Sequence, residues 1–423
     1  MKLGFVDKIE SFLSPISEKL EQNFVLTIVR KAMSFTIPIT IIGSFYLLIL
    51  YFPGLEDIYP EGFLAIFTGI FGPIYSLCVP LLSIYVVCAV GYFYGQAKES
   101  NPIMNAIVAL ISFLIVTPLT DGNLTVEWLG AKGLFVGFFT AFISSYIYNK
   151  IVKSNLTIKL PSAVPPMVAE PFLALIPALI TFVVFGVINY ACTFTAFNTL
   201  HNIVYSLLQL PLMGLGTSYY AILICAILNG LLWSFGIHGG NIITSVMSPI
   251  WTAALTANLD ALAAGKAAEY IVTTSFWSFF VAGGTPLALG ILCAFFAKSE
   301  QNKAIGKLGI IPAIFGIGEP LQFGVPITGN PILFVPFVLT YPVRASIAYF
   351  ALAAGIVPLT NGVTVSWTMP PILAGFLATG SILGGLLQVI QIIVDLIIWY
   401  PFFKVLDSQY LKEEKEDIQI EEN

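Results

Sequence analysis

Long, almost charge-free apolar runs decide what this chain can become. They occupy residues 32–52, 64–93, 103–119, 134–148, 171–190, 219–235, 270–297, 343–358 and 370–403. Most reach or exceed the roughly 18 to 20 residues that a helix needs to cross a hydrocarbon layer. A backbone in lipid must satisfy its own hydrogen bonds, which leaves only helices and closed barrels. The polar and apolar alternation of a membrane barrel is absent, so these runs predict helices. Composition agrees: 57% of residues are hydrophobic and 10% charged, against about 25% charged in a soluble domain. The expected fold class is an all-α polytopic membrane protein with about ten transmembrane helices plus two re-entrant hairpins, in a two-part architecture.

Basic residues sort the ends of these runs. Lys8, Lys19, Arg30 and Lys31 precede the first run, and Lys98, Lys150, Lys153, Lys159, Lys298, Lys303, Lys307, Arg344, Lys404, Lys412 and Lys415 mark later ends. Segments 53–62, 118–130, 191–218 and 358–367 carry no Lys or Arg. The positive-inside bias places the first set and both termini in the cytoplasm, and the second set outside. An anomaly follows, because 299–307 and Arg344 then share a side although the apolar segment 309–341 lies between them. That segment must return to its own side. Its breaks at Pro312, Gly316, Gly318, Pro320, Gly324, Pro326, Gly329, Pro331 and Pro336 suit a re-entrant hairpin. The same parity requires 219–269 to make an even number of crossings or a second hairpin, with Lys266 a mild dissent.

The tips of these two segments carry the candidate chemistry. In Phe315-Gly316-Ile317-Gly318-Glu319-Pro320-Leu321-Gln322-Phe323-Gly324 the glycines and proline break the helix and leave backbone groups near the acid unsatisfied. An acid at membrane depth costs roughly 3 kcal/mol or more, which favours a working Glu319 over a structural hairpin cap. Its carboxylate accepts charge-assisted hydrogen bonds from a sugar hydroxyl and can take the proton as that oxygen becomes a nucleophile. His238 poses the same question in Trp233-Ser234-Phe235-Gly236-Ile237-His238-Gly239-Gly240-Asn241; the plainer reading is a core histidine bonded to a carbonyl. Glu319 and His238 are the candidate catalytic residues. Trp367 and Trp233 offer apolar faces for a sugar ring, against the interfacial role common to membrane tryptophans. Asn241 and Gln322 complete the candidate substrate-binding set. Elsewhere, His201 reads as a surface residue, Arg344 as a helix-end anchor, and Asp395 as a lumen-facing or paired acid.

Several function classes are excluded. Acidic residues interrupt 1–21, and no apolar core with a small-residue cleavage site follows, so this segment reads as an interfacial amphipathic leader and not a signal peptide. Cys78, Cys88, Cys192, Cys225 and Cys293 lie in apolar segments without metal spacing and read as packing residues. No Walker A sequence, metal-ligand cluster or cofactor signature occurs, and the net charge of -5 comes largely from an acidic tail, so neither ATP-driven transport nor nucleic-acid binding is expected. A short internal echo links Pro118-Leu119-Thr120-Asp121-Gly122 with Pro358-Leu359-Thr360-Asn361-Gly362; duplication and coincidence both remain open.

The chain resembles the membrane subunit, enzyme IIC, of the bacterial phosphoenolpyruvate-dependent sugar phosphotransferase system, in the lactose, cellobiose and diacetylchitobiose family. The resemblance covers nearly the whole length. It rests on Arg30-Lys31-Ala32-Met33, Leu160-Pro161-Ser162-Ala163-Val164-Pro165-Pro166, the Trp233 to Gly240 turn, Glu319-Pro320, and Ser366-Trp367-Thr368-Met369-Pro370-Pro371. It implies an amphipathic leader over 1–29, a helical dimerisation domain over 30–190, a substrate-binding transport domain over 191–404 and a cytoplasmic acidic tail over 405–423. It further implies a homodimer in the bacterial plasma membrane that imports a β-linked disaccharide, with Glu319 and His238 on the sugar's 6-hydroxyl and Trp367 packed on the ring. A separate phosphorylated IIB protein would donate the phosphoryl group. The family often has Asn-Glu-Pro where this chain has Gly318-Glu319-Pro320, which bears on the choice of sugar. The rival reading is an ion-coupled secondary symporter that does no chemistry.

Overall fold

The computed structural model describes residues 22–50, 59–60, 62–120, 122–154, 156–158, 166–283, 285–325, 327, 330–366 and 368–421, with residues 15 and 19. The expected leader therefore falls almost wholly outside the described residues. The first helix, α1 (Phe24–Leu50), runs through the expected boundary at 29/30, and Ile28 and Val29 are already buried in a core. The apolar runs then fold as α2 (Phe63–Cys78), α3 (Leu82–Ala97), α4 (Pro102–Val116), α5 (Leu134–Lys153) and α6 (Pro166–Cys192). Leu82, Val86, Val90, Phe113 and Leu134 fill the core that α1, α3, α4 and α5 share.

Beyond α6 the helices are shorter and more often broken. α7 (Leu200–Val204) and α8 (Leu210–Gly216) flank a π-helical stretch and bend by 65° into α9 (Tyr219–Ser234). α10 (Gly239–Ala263) folds back on α9. π-Helical turns at Phe276–Ala282 and Leu292–Phe296 bracket α11 (Thr285–Ile291). The chain continues through α12 (Glu300–Ile314), α13 (Glu319–Gly324), α14 (Pro331–Ala353) and α15 (Leu373–Thr379) to α16 (Ile382–Glu421), a helix of 40 residues. A second core joins these elements through Trp251, Phe276, Phe280, Leu321, Phe337 and Trp399.

The protein is mostly helical. By length and apolarity, 6 helices among the described residues are able to cross a membrane, or up to 8 if each of two bent pairs counts as one span. Pro102–Val116 is a further, shorter apolar helix.

Two expectations need correction. Arg344 is no helix-end anchor: it is fully buried within α14 and paired with Asp395 of α16 at 2.6 Å. A charge neutralised inside the bundle carries no topological information, so its use as an inside marker fails; α14 begins at Pro331, ten residues before the expected end of the hairpin. His201 is not a surface residue but fully buried, with Nδ1 3.2 Å from the Val116 carbonyl oxygen and its ring against Trp128. In the acidic segment 405–423, α16 continues as far as Glu421. The internal echo also divides: residues 119–124 form a two-stranded hairpin, whereas Thr360 is tied to Thr273 and Asn258.

Candidate functional site

Two turns built on one plan carry the candidate site. After α9, Phe235-Gly236-Ile237 closes the helix: Ile237 N–H reaches back to Leu232 O at 3.0 Å, with Gly236 at φ 77°. After α12, Phe315-Gly316-Ile317 repeats the arrangement, with Ile317 N–H to Pro312 O at 3.0 Å and Gly316 also at φ 77°. This is the left-handed glycine cap, which lets the chain leave a helix while bonding its last carbonyls. The recurring Phe-Gly-Ile tripeptide is a sequence signal of shared local structure that reading each motif separately misses.

The first turn gathers three of the candidates. His238 caps α10 with its own ring, its Nδ1 accepting from the Asn241 N–H at 3.1 Å. An Nδ1 that accepts places the proton of a neutral imidazole on Nε2, which is then a donor. Trp233 lies against it, ring centroids 4.3 Å apart. Both rings are half-buried and Asn241 is exposed. Gly239 permits the turn to close on α9, where a Cβ would stand 2.6 Å from Asn229 O.

The second turn holds Glu319 at the first position of α13, capped by Gly318; the Glu319 side chain lies outside the described residues. Gly318 itself has a steric reason for lacking a side chain. A Cβ there would come within 2.6 Å of Pro286 Cγ and 3.2 Å of Gln322 Nε2. The Gln322 amide thus lies beside the space that a longer residue at 318 would claim, and its Oε1 is buried without a hydrogen-bond partner among the described residues. Trp367 lies outside the described residues; beside it, Ser366 and Thr368 hydroxyls pair at 2.7 Å.

A cavity between α1 and α10 was not legible in the sequence. It measures ≈ 210 Å³ and is lined from α10 by Thr244, Ser248, Thr252 and Thr256, and from α1 by Arg30, Ser34, Thr36 and Thr40. The α10 set recurs every fourth residue, which puts all four on one helix face. Thr364, three residues before Trp367, closes another side. Several of these hydroxyls donate to their own helix: Thr244 to Gly240 O at 2.7 Å, Thr256 to Thr252 O at 2.9 Å, Thr36 to Met33 O at 2.8 Å. Their lone pairs remain as acceptors, and Arg30 supplies donors. Met33, Ile37, Val79, Leu255 and Leu259 complete a lining whose exposed surface is largely apolar. Sequence inspection missed it because serines and threonines attract attention only when a helix face lines them up.

An apolar helical bundle with broken helices and a cavity that carries a row of hydroxyls defines a polytopic membrane protein of the transporter class. Comparisons with known proteins make the class specific. The family described as "Phosphotransferase system, EIIC" matches residues 30–340. The "PTS system oligo-beta-mannoside-specific EIIC component" of Bacillus subtilis (strain 168) is 40% identical, the match covering 97% of this chain and 96% of the relative. The "PTS system cellobiose-specific EIIC component" of Geobacillus stearothermophilus is 34% identical over 98% and 96%. The crystal structure of the transporter ChbC, the IIC component from the N,N'-diacetylchitobiose-specific phosphotransferase system, superposes with a TM-score of 0.91 at 33% identity, covering 96% of this chain and 99% of that one. The chain belongs to the EIIC family of the phosphotransferase system and is a membrane permease component of that system.

Proposed function

We propose that this permease imports a β-linked disaccharide and releases it inside as the 6-phosphate, with a separate phosphorylated IIB protein as donor. The observation that carries this reading is the hydroxyl-lined cavity, which begins at Thr244 near the His238 cap and reaches Thr364 near Trp367. The relatives named for oligo-β-mannoside and cellobiose support the choice of sugar class. A lactose relative is named as an EIICB component and extends beyond the match, which covers 72% of it, supporting a IIB partner for this chain.

In this reading His238, holding its Nδ1 on the α10 amide, donates from Nε2 to the sugar's 6-hydroxyl, and Glu319 accepts that hydroxyl's proton. The oxygen then attacks the phosphorus of a phosphocysteine carried by IIB, the P–S bond breaks, and the cysteine thiolate leaves on IIB. Trp367 and Trp233 pack on the sugar, and Asn241 and Gln322 bond its outer hydroxyls. About ten membrane-crossing elements and two re-entrant hairpins surround the site. Residues 30–190 form the dimer contact, 191–404 the transport domain, and both termini face the cytoplasm of a bacterium.

Glu319→Gln in purified protein is expected to abolish sugar 6-phosphate formation with phospho-IIB while leaving the protein folded and dimeric. Near-normal phosphorylation in that variant would remove the assigned role. Concentration of free sugar by the wild type on an ion gradient alone would instead establish a symporter.

A further inference from the structure

The carboxyl-terminal helix grips the segment that presents Glu319. Asp407 and Glu414, two turns apart on α16, both reach the amino-terminal end of α12. Asp407, 5% exposed, accepts from Lys298 N–H at 2.7 Å, Ser299 N–H at 3.2 Å, Ser299 Oγ at 2.7 Å and Asn302 Nδ2 at 3.0 Å. Glu414 accepts from the amides of Glu300 at 3.1 Å and Gln301 at 3.0 Å. Four consecutive amides, 298 to 301, therefore donate to carboxylates of another helix. Amides at a helix start lack partners within the helix, and negative charge is favourable there.

What α12 touches downstream explains why such a grip matters. Leu321 of α13 packs into Gly309, where a Cβ would stand 2.5 Å from Leu321 Cδ2, so α12 and α13 form one closely packed hairpin. At Gly306 the same helix rests on backbone, a Cβ there meeting Ala294 N at 2.4 Å. Small-residue contacts bring helices close, but they are apolar and carry no hydrogen bond of fixed direction. The grip at 298–301 adds directional hydrogen bonds at the start of α12, and α12 ends at the turn leading to Glu319.

We propose that Asp407 and Glu414 are positioning residues for phosphoryl transfer: by holding the start of α12 they set the depth at which Glu319 meets the 6-hydroxyl. This rests on the proposed role of Glu319. A simple helix cap would affect stability alone, whereas a positioning contact must affect the one hydroxyl that the turn holds.

The test uses the full-length protein and whichever of cellobiose, lactose, β-mannobiose and diacetylchitobiose the wild type binds most tightly, with the analogue of that sugar lacking the reacting 6-hydroxyl. Asp407→Asn and Glu414→Gln are each expected to weaken binding of the parent sugar about tenfold or more while leaving binding of the analogue unchanged. Equal losses for both ligands, or no loss for either, would overturn the proposal. Glu414→Gln, at the less buried of the two positions, supplies the answer should Asp407→Asn fail to fold. Glu319→Gln in the same assay separates the two readings: if it keeps the wild-type preference for the 6-hydroxyl, the assigned role of Glu319 fails. If it loses that preference while both carboxylate variants keep it, only the positioning inference fails.

Discussion

At the scale of single residues, Gly318 shows how a local departure has a distant cause. The sequence marks it as unusual beside Glu319, and the structure supplies the partner, the ring of Pro286. Gly318→Asn is expected to destabilise the protein by about 1–3 kcal/mol through overpacking, read as a lower unfolding temperature in detergent. Pro286→Ala removes the Cγ at 2.6 Å but keeps the Cβ at 2.9 Å, so the double variant should recover only part of that loss. A double variant no better than Gly318→Asn alone would show that the proline is not the obstacle. Glu319 and His238 are legible in the sequence because a polar group among glycines in an apolar run is conspicuous. Pro286 is not, because its contact spans residues far apart in the chain.

At the scale of elements, the twin turns explain which parts of the fold are visible beforehand. Their glycines, prolines and apolar flanks show where helices must break, and α9, α10 and α12 do end or begin there. Both turns need a residue at positive φ, a conformation that costs an L side chain about 1–2 kcal/mol. Gly236→Ala and Gly316→Ala should each lower stability by roughly that amount, and Gly214→Ala, where a Cβ meets open space and φ is ordinary, serves as the control. Equal effects at all three positions would remove the conformational explanation. The π-helical turns around α11 have no comparable signature. In the first of them, carbonyls are taken by distant donors: Gln388 Nε2 and an Arg344 guanidinium nitrogen on Phe279 O, and Gln391 Nε2 on Phe280 O.

At the scale of the whole molecule, a buried polar seam along α16 ties the second half together. Gln388 Oε1 accepts from the amides of Ile372 at 2.7 Å and Gly375 at 2.6 Å, and Asp395 pairs with Arg344. Removing one member of a buried pair leaves an uncompensated charge, which typically costs about 3–5 kcal/mol. Arg344→Met alone is expected to lose that much stability, and Arg344→Met with Asp395→Leu to lose less, as measured by thermal unfolding. A double variant worse than the single would show that the two charges are not coupled. This seam also shows why charge counting along a sequence succeeds at loops and fails here: Arg344 looks like any other basic residue until Asp395 comes to lie opposite it.

The threonine and serine face of α10 has a kinetic meaning as well. Successive rungs at every fourth residue stand about 6 Å apart along the helix, and they offer a sugar nearly the same acceptors at each step. A ligand moving along such a ladder exchanges one set of hydrogen bonds for an equivalent one. In the proposed reading its free-energy profile along these rungs is shallowly corrugated, with no single rung deep enough to hold it. In the same reading the pace of uptake is set at the ends of the ladder, where His238 and the residues around Thr364 engage or release the sugar.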